Sequence, residues 1–61
     1  MFKYKGIYKQ VKPFSNDVWI NQNVKAYVQG ETVKYVSLDD QLTLGVSHVI
    51  TLRELFKEVI A

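Results

Sequence analysis

The chain predicts an α+β fold: a small antiparallel sheet of about four strands with one C-terminal helix packed on one face. Three observations point there. Short runs of β-branched and aromatic residues alternate with polar ones, turn-forming pairs at Gln29-Gly30 and Asp39-Asp40 separate those runs, and TLRELFKEVIA switches to helical spacing. The sheet is expected to be open or curled into an SH3-like partial barrel.

The first strand is expected over about 2–11. Phe2, Tyr4, Gly6 and Tyr8 share one side, and Lys3, Lys5, Ile7, Lys9 and Val11 the other. Pro13, in PFSND, then marks a loop. A second strand is expected over about 18–28, where Val18, Ile20, Val24, Ala26 and Val28 alternate with polar residues and only Gln22 breaks the run. Its β-branched residues and interior asparagines disfavour a helix. The third and fourth strands are expected at about 31–38 and 42–49.

Two tight turns set the expected registers. A loop at Gln29-Gly30 pairs Ala26 with Val33, Val24 with Tyr35 and Lys25 with Lys34. A loop at Asp39-Asp40 pairs Ser37 with Leu42, Tyr35 with Leu44 and Val33 with Val46. Together they gather Val24, Ala26, Val28, Val33, Tyr35, Leu42, Leu44 and Val46 on one apolar face. A slip of one residue destroys that agreement. The helix is expected over about 52–60, opened by a capping box at Thr51 and Glu54. Its stripe of Leu52, Leu55, Phe56, Val59 and Ile60 should cover the apolar face.

Composition narrows the function. The chain has 61 residues, enough for a single domain (1–61) close to the lower limit for independent folding. Hydrophobic residues make up 48%, too many for intrinsic disorder. With no cysteine and one histidine, His48, neither a disulfide framework nor a structural metal site is expected, and no cofactor is implied. No run is long enough to span a membrane, and the lysine-rich start lacks the apolar stretch of a secretory signal. The expected setting is the cytoplasm. The net charge of +2 divides into +4 over residues 1–30 and −2 over residues 31–61. A split of this kind points less strongly to nucleic acid than a uniformly basic chain does.

The catalytic inventory is poor. Glu31 is expected across from His48 near the sheet end, where an ion pair or a place at the helix start is a more ordinary role than general base. Asp39 and Asp40 suit a turn, and the three glycines form no phosphate loop. So short a chain also leaves little room for a pocket. No enzyme activity is expected.

Two surfaces remain as candidates. The expected registers put Trp19, Asn23, Lys25, Tyr27 and Lys34 on the face away from the helix, with Asn21, Thr32, Val36, Thr43, Gly45 and Ser47 around them. Lysines directly opposed repel one another. Either their stems splay into solvent, or an acidic partner covers them while Trp19 and Tyr27 supply contact area. Alternatively, Trp19 completes the core. The second surface is KYKGIYKQVK, where Lys3, Lys5, Lys9 and Lys12 would meet phosphates and Tyr4 or Tyr8 would stack on bases. An edge strand whose lysines discourage aggregation explains the same pattern.

The expected function is therefore a small non-catalytic regulatory or accessory protein of inhibitor or adaptor type, such as phages and plasmids use. It would dock on another protein through the basic, aromatic sheet face. The alternative is a nucleic-acid-binding module built on the first strand. A third option is a homodimer that completes its own core.

Overall fold

A computed structural model describes residues 1–59. The strands are β1 (Lys3–Gln10), β2 (Val24–Gln29), β3 (Thr32–Val36), β4 (Thr43–His48) and β5 (Phe56–Glu58), with α1 (Val49–Leu55) between the last two. All pairings are antiparallel, and the five strands lie in the order β4-β3-β2-β1-β5. The sheet is open, because its edge strands β4 and β5 do not bond to each other. The chain passes from β4 on one edge to β5 on the other through α1, which lies over the core face.

The first hairpin turns at Gly30-Glu31 rather than Gln29-Gly30, since Gln29 pairs with Thr32. Gly30 takes φ +59° at the first loop position while Glu31 has no positive φ, the pattern of a type II′ turn. Moving the loop by one residue moves the pairing by two. The faces therefore survive, but the partners change. Ala26 opposes Tyr35, Val28 opposes Val33, and Lys25 and Lys34 oppose Val36 and Tyr27 instead of each other.

Two β-bulges correct the rest of the expected pattern. The Ser37 N–H donates to the Leu42 carbonyl, and Val36 pairs with Thr43, as the turn predicts. An extra residue at Leu44 then shifts the register, so that Tyr35 opposes Gly45, Lys34 opposes Val46 and Val33 opposes Ser47. Val46 consequently faces outward and is 62% exposed, and Leu42 is exposed too. Gly45 and Ser47, expected outside, lie on the core face. There Gly45 lies beside the Tyr35 ring, and Ser47 Oγ hydrogen-bonds the Tyr35 hydroxyl at 2.6 Å. In β1 the extra residue is Lys5, between the pairs Tyr4–Tyr27 and Gly6–Ala26. Tyr8 is thereby buried beside Val24, whereas Tyr4, expected on the same side as Tyr8, faces outward and is 54% exposed.

Residues 18–23 are not a strand. They close the connection from β1 to β2, and Ile20 anchors it by packing on the core. The buried Gln10 amide holds this loop: its Nε2 donates to the carbonyls of Lys12 and Val18, and its Oε1 accepts from the Ile20 N–H at 2.7 Å. Those backbone groups find their partners in one side chain, so the loop needs no ladder.

The helix is displaced from 52–60 to Val49–Leu55. His48, not Thr51, is the N-cap, its Nδ1 accepting from the Ile50 N–H at 3.1 Å. The helix ends at Leu55, whose carbonyl accepts from the N–H groups of Val11 and Lys12, and Phe56 turns extended. From Phe56 the chain pairs with Tyr8–Gln10 of β1, giving that strand a second partner where a further helical turn is expected. Ile60 lies outside the described residues. Phe56 still reaches the core, stacking on Tyr35 with ring centroids 4.7 Å apart. Tyr8, Val24, Ala26, Val33, Tyr35, Leu52 and Phe56 form the buried cluster.

Candidate functional site: the outer sheet face

The face turned away from α1 is built by the outward residues of β1 to β4. Its central row runs Tyr4–Tyr27–Lys34–Val46 across four strands. Tyr4 meets Tyr27 edge-on, with centroids 5.5 Å apart. The Lys34 ammonium lies over two rings, 4.8 Å from the Phe2 centroid and 5.8 Å from that of Tyr27. A cation above an aromatic face is attracted by the ring quadrupole, so Lys34 is held against the sheet instead of splaying.

The next row is Ile7–Lys25–Val36–Thr43. Here the loop after β3 folds back on the face. Asp40, in left-handed backbone with φ 61°, accepts from Lys25 Nζ at 2.8 Å and from the Tyr27 hydroxyl at 3.0 Å. The Lys25 hydrogen bond, followed by that from Tyr27, holds the Asp40 carboxyl below its ordinary value. The same bonds raise the Lys25 ammonium and the Tyr27 phenol. Asp39 is lowered as well, by the Ser37 hydroxyl and then the Gln41 N–H. The acid that relieves Lys25 is supplied by the chain itself.

Like charges do oppose each other, at the β1–β5 edge of the face, where Lys9 pairs with Lys57. Asp40 offsets Lys25, which leaves Lys9, Lys34 and Lys57 as the positive charges of this surface.

Of the residues expected at the docking site, Lys25, Tyr27 and Lys34 are gathered together. Trp19 and Asn23 are not with them. They line a hollow of about 230 Å³ with Lys9, Gln10, Ile20, Asn21 and Gln22, where the β1–β2 connection meets the sheet. Trp19 is 44% exposed and stands apart from the buried cluster. The residues of the nucleic-acid alternative are spread out: Tyr4 and Lys9 lie outward, Lys3 and Lys5 line a cleft near the start of α1, Lys12 is in the connecting loop, and Tyr8 is buried. Sequence alternation alone misses Tyr4 and Val46, because each lies beyond a bulge. The local sequence signal is a glycine inside each strand, Gly6 beside the β1 bulge and Gly45 beside the β4 bulge.

Comparison of the chain with protein-family models, with curated proteins and with solved structures gives no match. No helix among the described residues is long and apolar enough to cross a membrane.

Proposed function

We propose that the protein is a non-catalytic accessory module of inhibitor or adaptor type that docks on an acidic surface of another protein through its outer sheet face. The observation that carries this reading is the row Tyr4–Tyr27–Lys34–Val46, an aromatic and aliphatic stripe with a cation fixed in its middle. Exposed aromatic groups supply large contact area at small entropic cost, which suits interface anchors. Lys34, Lys9 and Lys57 add positive charge beyond Lys25, which Asp40 already offsets, and that favours a carboxylate-bearing partner. Because Lys34 is already positioned by Phe2 and Tyr27, binding orders less of its side chain. The cysteine-free composition supports a site of action in the cytoplasm.

Affinity capture from the cell of origin, with and without nuclease, tests this reading. Wild-type protein should retain a protein partner after nuclease treatment. Lys34→Glu and Tyr4→Ala should each weaken capture by roughly 30-fold or more, the effect of losing an interface anchor. Trp19→Ala, in the separate hollow, should leave capture nearly intact. Capture that nuclease abolishes, or that survives both outer-face substitutions, refutes the docking face.

A further inference from the structure

A second concavity lies at the opposite end of the molecule from the Trp19 hollow, and its chemistry differs from that of the docking face. Beside the helix start, the first residues of β1, the β2–β3 turn and α1 enclose an open cleft of about 650 Å³. That volume falls within the range of small-ligand sites and exceeds what so short a chain is expected to form. Lys3, Lys5 and Arg53 line it, together with the carboxylate of Glu31.

Among the described residues Lys25–Asp40 is an ion pair, and Glu31 Oε2 lies within hydrogen-bond reach of His48 Nε2 at 3.3 Å. Glu31 is thus engaged by the imidazole, and among the described residues no carboxylate pairs with Lys3, Lys5 or Arg53. Three cations against one carboxylate leave the cleft with a formal charge of +2 when His48 is neutral. Tyr4 and Ile50, both about half exposed, form an apolar part of the same wall.

We infer that this cleft binds a phosphate-bearing ligand. A dianionic phosphate balances the +2 charge, which a single carboxylate does not. The Arg53 guanidinium can engage two phosphate oxygens at once, and the two lysines act as point charges beside it. A flat or apolar group attached to the phosphate would rest against Tyr4 and Ile50. The cleft shares only Tyr4 with the docking face, since Lys3, Lys5 and Arg53 take no part in that surface. It also gives a common role to Lys3, Tyr4 and Lys5, beside Arg53.

The test is titration of isotope-labelled full chain with inorganic pyrophosphate at low ionic strength, followed through backbone and arginine side-chain resonances. Sodium chloride at matched ionic strength serves as the control. Saturable shifts are expected at Lys3, Lys5, Gly30, Val49 and Arg53, with no counterpart in sodium chloride. In Lys5→Ala/Arg53→Ala, affinity should fall at least about tenfold, as for lost charge-assisted hydrogen bonds, while the remaining spectrum stays unchanged. Glu31→Gln should tighten binding. Parallel titrations with a nucleoside diphosphate and a short single-stranded oligonucleotide identify the source of the phosphate by which of them binds more tightly. The inference fails if none of the three gives saturable shifts, or if the double variant binds as the wild type does.

Discussion

Asp40 shows how one residue decides what a surface can offer. Its carboxylate sits on Lys25 and Tyr27, so the loop after β3 is pinned to the outer face. The pinning depends on pH, and its sign follows from the shifts. Asp40 is lowered in the folded state, so its contribution is present above the unfolded-state value and is lost as pH falls through the folded one. Lys25 is raised, so its contribution is present below its unfolded-state value and is lost as pH rises through the folded one. The pair therefore acts across the neutral range. Asp40→Asn should abolish its share of the acid-side loss of stability, read as a flatter dependence of unfolding midpoint on pH below neutrality. An unchanged acid limb in that variant would mean that the pair contributes nothing. His48 is the complementary case: it lies against Glu31 at the helix start, as expected, and also takes the N-cap role expected of Thr51.

At the scale of elements, the sequence is most legible where parity alone matters. The inward set Val24, Ala26, Val28, Val33 and Tyr35 is readable, because displacing the first hairpin by one loop residue moves the pairing by two and leaves every side chain on its face. Bulges are far less legible. The extra residues, Lys5 and Leu44, have ordinary strand-compatible chemistry, yet each inverts everything beyond it. That is why Tyr4 and Tyr8 part company, and why Val46 leaves the core to Ser47. The helix boundary misleads for another reason. Leu52, Leu55 and Phe56 have helical spacing, but hydrogen bonds from Val11 and Lys12 to Leu55 and the pairing of β5 with β1 outweigh local propensity. The β1 bulge can be tested through Gly6, whose φ of +151° is rarely adopted by residues with a side chain. A Cβ there would also stand 3.0 Å from Glu58 Oε2, the movable end of a side chain, so backbone strain is the larger cost. Gly6→Ala should destabilise the fold by about 1–3 kcal/mol in denaturant unfolding. Unchanged stability would mean that β1 runs without that distortion.

At the scale of the whole molecule, the two bulges give the open sheet two chemically different sides. Inward lie Tyr35, Phe56 and Leu52, closed over by α1 on its way between the edges. Outward lie Tyr4, Tyr27, Lys34 and Val46, with charge that the chain only partly offsets. The cationic cleft sits where α1 begins and leaves the first residues of β1 open. Docking and anion binding meet at Tyr4, but Lys34 and Val46 belong only to the outer face and Lys5 and Arg53 only to the cleft, so substitutions at those four residues should spare the other region. Both readings depend on which way the side chains beyond each bulge point. The most direct test is the Val46 methyl environment in solution, measured by nuclear Overhauser contacts and by broadening from a soluble paramagnetic agent. The account predicts strong broadening, with contacts to Lys34 and none to Phe56, while Ser47 shows contacts to the Tyr35 ring. A protected Val46 methyl in contact with Tyr35 or Phe56 would contradict it.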